Sequence, residues 1–126
     1  MGTDERPHEH DAAVLRTLFR ALEPGGMAVI NALNGWKMLR EHTQEDVDAR
    51  RFDPVEICET YVMEYATEEG TASVPVKEKG YLPGEFAELV RTVGFTVEHL
   101  WGGTAGNWGR RALQLDEFEM MVVARR

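Results

Sequence analysis

The sequence predicts an α/β fold: a mostly antiparallel sheet carrying two principal helices, equivalent to one flank of a doubly wound sheet. Three observations lead to it. An amphipathic helical stretch passes through a Pro-Gly-Gly turn into a short all-apolar strand, which is half of a βαβ repeat. A second amphipathic stretch stops at a glycine and feeds another strand. The chain closes on an apolar strand with a basic end. With 126 residues there is room for one domain over 1–126 and not for two, and 43% apolar residues can build a packed core.

The first helix is expected over 11–22. Val14, Leu15, Leu18, Phe19 and Leu22 fall at helical spacing, with Arg16, Thr17 and Arg20 on the other side. Glu23-Pro24-Gly25-Gly26 ends it, since proline cannot continue a helix. Met27-Ala28-Val29-Ile30 opens a strand over 27–31, apolar on both faces as in a buried parallel strand. The pattern then weakens up to Asp53. Trp36, Met38 and Leu39 suggest a short helix, and His42 to Arg51 is charged enough to be a surface segment. A β-hairpin is expected at about 59–81, with Thr67-Glu68-Glu69-Gly70 as its turn. Pro75 argues that its second strand is an edge.

The second helix spans 83–93. Pro83 suits the first helical position, Phe86, Leu89, Val90 and Val93 form one stripe, and Gly94 is the stop. A strand over 95–101 follows, with Phe95, Val97 and His99 expected on one face. Gly102 to Arg111 reads as a long glycine-rich loop, and 118–124 as the closing strand.

Three of these segments, in this order, resemble the second half of class I S-adenosylmethionine-dependent methyltransferases. Val14 to Ile30 is similar to that family's helix, its Leu-Lys/Glu-Pro-Gly-Gly turn and its fifth strand. Tyr81-Leu82-Pro83-Gly84-Glu85-Phe86 through Gly94-Phe95 is similar to its "Tyr-x-Pro-x-Glu-Leu…Ala-Gly-Phe" segment. Asp116 to Arg126 looks like its antiparallel seventh strand. The resemblance implies the C-terminal half of a Rossmann-like sheet, in which the strand at Met27 pairs with the last strand and that one with 95–101. It implies S-adenosylmethionine as cofactor and methyl transfer to a small-molecule nucleophile. The family's glycine-rich cofactor loop has no counterpart in this sequence. Only about ten residues precede the first helix, without Gly-x-Gly or an apolar strand, and Gly25-Gly26 ends a helix instead of opening one. The chain alone is therefore expected to bind the cofactor weakly or not at all. The alternative is a catalytically inactive half-domain acting as a binding or interaction module.

No catalytic residue can be assigned. Asn31 and Asn34 lie beyond the carboxyl end of the buried strand, where ligands bind in open α/β sheets. They are candidates for amide contacts to an acceptor, although asparagine is also simply a good turn residue, and that role is favoured. Trp101, Asn107, Trp108 and Arg110 could give an acceptor an aromatic wall and a polar handle, or the tryptophans could pin the loop to the sheet. His8-Glu9-His10-Asp11 reads as an exposed acidic helix start and not as a metal site, because alternate residues do not share a helix face. His99 could be a general base but reads better as a half-buried structural histidine. Arg50-Arg51 and Arg110-Arg111 read as solvated charges.

Lys and Arg number 14 against 22 Asp and Glu, for a net charge of −8, which disfavours nucleic acid and anionic membranes as partners. Met1 to Arg6 contains no apolar leader core, and no stretch approaches a membrane span. The single cysteine, Cys58, cannot form an internal disulfide and fits a cytoplasmic location. One edge of the strand at Met27 lacks a neighbour in this half-sheet. That predicts association with a second copy or with a separately made N-terminal half.

Overall fold

Proline has no N–H to lose at the first position of a helix, and α1 begins at Pro7 and runs to Ala21. It starts a turn earlier than the hydrophobic spacing indicates. The structure, a computed structural model, describes residues 6–126, so most of the Met1–Arg6 segment lies outside the described residues. After the Pro-Gly-Gly turn come β1 (Met27–Asn34), α2 (Gly35–Glu41), α3 (Gln44–Asp48), β2 (Phe52–Asp53) and β3 (Cys58–Thr67). Then follow β4 (Gly70–Tyr81), α4 (Pro83–Val93), β5 (Thr96–Thr104), β6 (Asn107–Trp108) and β7 (Glu119–Arg125). The short helix expected around Trp36 is α2. The charged segment at 42–51 also contains a helix, α3.

The strands form one sheet in the order β2-β3-β4-β1-β7-β5-β6. β1 pairs antiparallel with β7 along its length, from Met27↔Arg125 to Leu33↔Glu119, and β7 pairs antiparallel with β5. The other side of β1 meets β4 in parallel at only two positions, Leu33↔Gly80 and Asn34↔Tyr81. From Met27 to Ala32 that edge has no strand beside it among the described residues.

Period-two alternation divides β1 and β7 cleanly. Ala28, Ile30 and Ala32 join Met120, Val122 and Ala124 in the main core, beneath Leu15 of α1 and Phe86, Leu89 and Val90 of α4. On the opposite face Leu33 packs with Met38 of α2, while Met27 and Val29, 54% and 53% exposed, have no helix over them among the described residues. An all-apolar strand signals cover on both faces, and over Met27 and Val29 only one face has it. A second cluster of Met38, Phe52 and Ile57 lies where α2 packs against the base of the hairpin.

The expected alternation of β5 needs correcting. The alternation predicted for β5 breaks at a bulge between Val97 and His99, where Glu98 is the extra residue. Val97 and Leu100 both pack on the core, so His99 turns to the open face and is exposed, not half-buried. β4 lies between β3 and β1 in the sheet order, but β1 reaches only Gly80 and Tyr81, so at Pro75 the side of β4 away from β3 is a free edge among the described residues, as the proline indicates.

α3 is held by a capping box in which Thr43 and Asp46 satisfy each other's backbone N–H groups. The Thr43 N–H bond and the Arg51 guanidinium, 3.0 Å away, lower the Asp46 pKa from 3.8 to about 2. A depressed carboxyl stabilises the folded state above its unfolded pKa, and that contribution is lost as the pH falls from 3.8 through about 2. We expect α3 to fray across this window before the sheet melts. Residue-resolved NMR in an acid titration checks it, and an α3 that melts only together with β7 would overturn it.

Candidate functional site

The polar centre of the molecule lies where β1 and β4 part. Asp11, on α1, is fully buried. Its Oδ2 accepts a 2.6 Å hydrogen bond from the hydroxyl of Tyr81, the residue that ends β4. Burial, followed by the hydrogen bond to Asp11, raises the Tyr81 pKa well above that of an ordinary phenol. The ring is fixed against Phe86 at 5.2 Å, with the Lys79 ammonium 4.5 Å above it. Asp11, Lys79 and Tyr81, with Asn31, Glu78 and Glu119, line a cleft of about 310 Å³ in the fork between the strands. Burial, together with a hydrogen bond to Glu59, also raises the Glu78 pKa. The fork therefore combines a fixed phenol, a buried carboxylate, an amide and an ammonium at the carboxyl end of a central strand. Such a set can orient a polar molecule through hydrogen bonds.

A second and larger cleft, of about 780 Å³, lies on the uncovered sheet face. Its floor is Met27, Val29, Met121 and Val123. The His99 and Trp101 rings stack at 4.9 Å beside it, and Trp108 and Arg110 close one end. At the other end Glu98 and Arg125 form an ion pair 2.5 Å long. Their hydrogen bond lowers the carboxyl pKa and raises that of the guanidinium.

The six residues singled out in the sequence separate into four places. Asn31 lines the fork. Trp101, Trp108 and Arg110 share the open-face cleft. Asn107 is exposed at a hairpin end, paired with Thr104. Asn34 is fully buried and occupied by its own chain: its Nδ2 donates to the carbonyls of Gln114, Leu115 and Glu117, and its Oδ1 accepts from the N–H of Trp36. Both ends of its amide are thus engaged by the chain itself.

The acidic helix start also needs correcting. His8, Glu9 and His10 are exposed, but Asp11 is buried. The signal was present, because Asp11 falls four residues before Leu15 and seven before Leu18, on the apolar stripe. No group of three or more metal-ligating side chains occurs among the described residues. Arg111 is not merely solvated; it pairs with Glu117 at 2.7 Å.

The expected long loop from Gly102 is corrected too. Gly102, Gly103 and Thr104 continue β5 and turn directly into β6. The two glycines provide close packing. A Cβ on Gly102 would lie 2.8 Å from the Leu113 Cα, and one on Gly103 would lie 2.5 Å from the Trp108 ring. The space beside both is thus filled by the chain itself, so these glycines do not fit the role of a cradle for S-adenosylmethionine.

No family model matches the sequence, and no curated protein matches it. Solved structures do match the fold. The CcbJ methyltransferase from Streptomyces caelestis aligns with a TM-score of 0.69 at 17% identity, over 94% of this chain and 53% of its own. A S-adenosylmethionine-dependent methyltransferase from Clostridium acetobutylicum aligns at 0.58 and 7% identity, over 94% and 51%. Another, from Mesorhizobium loti, aligns at 0.52 and 18%, over 94% and 56%. The fold is that of class I S-adenosylmethionine-dependent methyltransferases, and the chain spans about half the length of the solved structures it matches. No helix among the described residues is long and apolar enough to cross a membrane.

Proposed function

We propose that this chain is the acceptor-side portion of a S-adenosylmethionine-dependent methyltransferase acting on a small-molecule nucleophile. The observation that carries it is the fork. A methyltransferase-like half-sheet presents Asp11, Tyr81 and Asn31 at the carboxyl end of β1, where open α/β sheets hold their ligands. In this proposal Asn31 and the fork orient the acceptor, while Trp101, Trp108 and Arg110 form a wall toward the cofactor-holding portion. That portion carries the glycine-rich loop and adds a strand along the bare edge from Met27 to Ala32. Methyl transfer is chiefly a matter of positioning for in-line displacement, so a split of the two binding jobs is chemically sufficient.

Calorimetric titration of S-adenosylmethionine into the purified chain is expected to show no micromolar binding. Co-expression with a complementary strand–glycine loop–helix segment encoded nearby should create both cofactor binding and transfer of a labelled methyl group. Tight binding by the chain alone would overturn the division of labour. A complemented protein that holds the cofactor in contact with the fork yet transfers no methyl group to any nucleophile would overturn the enzymatic reading.

A further inference from the structure

The β3–β4 hairpin extends well beyond the body of the sheet, and its two edges differ. Thr60 donates its N–H outward to the Arg51 carbonyl at 2.9 Å. By the two-residue period of a strand, Val62, Glu64 and Ala66 direct their N–H and C=O groups outward as well. β2 pairs only with Cys58 and Glu59, so the outer edge of β3 from Tyr61 onward has no strand beside it among the described residues.

On β4, Pro75 lies opposite Val62. It therefore occupies an outward-facing position, where a missing donor guards an edge without breaking the hairpin's own ladder. β3 has no proline or lysine in its free stretch Tyr61-Val62-Met63-Glu64-Tyr65-Ala66, and Val62 is 65% exposed. A two-stranded ribbon is marginal by itself, and added strands stabilise it.

We propose that two copies of this chain pair through the outer edges of β3, antiparallel about a two-fold axis at Met63, to form one four-stranded sheet. Self-complementarity selects the second copy as occupant and fixes the register. Centring on Met63 sets Tyr61 opposite the second copy's Tyr65 and Val62 opposite its Glu64. Aromatic rings then meet on one face and the carboxylates stay apart. Centring on Glu64 brings two carboxylates face to face. Centring on Val62 requires the Thr60 N–H, which Arg51 already holds. Centring on Tyr65 runs the partner off the hairpin at Thr67. This interface does not involve the fork or the bare edge of β1, so it stands or falls independently of the methyltransferase proposal.

Light scattering on the eluting full chain, over a range of concentrations, should show a species of twice 14.3 kDa. Glu64→Pro removes an outward donor and leaves the hairpin's internal bonds. It should weaken the dimer by about tenfold, because two symmetry-related ladder hydrogen bonds are lost. Met63→Cys should form an intermolecular disulfide on mild oxidation, since only at the axis does a residue face its own copy. Tyr65→Cys, equally exposed, should not. The native Cys58 is buried and contributes no background. A monomer at every concentration overturns the proposal. So does a dimer that Glu64→Pro leaves intact, or one that cross-links through Tyr65→Cys and not Met63→Cys.

Discussion

Asn34→Asp is expected to lower the unfolding free energy by about 3 kcal/mol, although it changes a single atom group. The side-chain amide donates to three carbonyl oxygens of the 114–117 segment, at 3.3, 3.3 and 2.9 Å, while its oxygen caps α2. A carboxylate keeps the cap and the shape but offers no donor, and it faces three acceptors in a fully buried place. Asn34→Ala loses the cap as well, at roughly 1 kcal/mol, yet leaves no buried charge. The aspartate should therefore be at least as harmful as the alanine. Its deficit should narrow in acid, where a protonated carboxyl can donate one bond. Urea unfolding of the three proteins at two pH values measures this. An aspartate variant within about 0.5 kcal/mol of the parent would show that Asn34 does not hold the 114–117 segment.

Tyr81→Phe is expected to cost about 3 kcal/mol. Among the described residues it removes the close hydrogen-bond donor of buried Asp11 and leaves the His10 ring at 3.4 Å. The phenylalanine ring still fits beside Phe86, so packing accounts for little of the loss. Combining it with Asp11→Leu removes both polar partners and should recover a large part of the deficit, giving a coupling of about 1–3 kcal/mol. Strictly additive effects would show that the two groups do not stabilise each other. The pair also has an alkaline signature. The raised Tyr81 pKa means its contribution is complete below the ordinary phenol value of 10.0 and is lost as the pH rises above it. Tyr81→Phe should remove that part of the alkaline decline.

The elements most legible in the sequence were those with chemical punctuation at their ends. Pro83 and Gly94 bound α4, and the residues between them form a single stripe, so its limits could be read directly. The start of α1 was harder, because His8, Glu9 and His10 are exposed and contribute nothing to the hydrophobic period. The order β1-β7-β5 followed from the resemblance, and no local pattern reports which strands are neighbours. The Glu98 bulge left no trace, since Thr96 to Trp101 alternates equally well in either phase. Gly102 and Gly103 suggested a loop because glycine usually supplies conformational freedom. Here it supplies absence of bulk, which sequence reads the same way. Asn31 was singled out as following a strand expected to end there, but β1 continues through it to Asn34, because an asparagine inside a strand reads like one just beyond it. Asp11 was visible as a carboxylate on an apolar stripe, but its partner is 70 residues away. A charge that breaks a hydrophobic pattern can be explained only when that distant partner is known.

The bulge also constrains which changes of length the chain can accept. Each core position of β5 after Glu98 depends on one surplus residue having been counted out. Deleting Glu98 would remove the bulge and leave Leu100 on the core, whereas a residue inserted after Leu100 would turn Trp101 beneath the helices and exchange inside for outside over the rest of the strand. Insertions at the Glu68-Glu69 turn, by contrast, would lengthen an exposed tip and disturb no buried position. Homologous chains should therefore vary freely in length at the hairpin tip and, apart from the surplus residue itself, hardly at all between Gly94 and Gly103, even where the residues themselves differ. In this protein the spacing along β5 is a stricter inheritance than the side chains it carries.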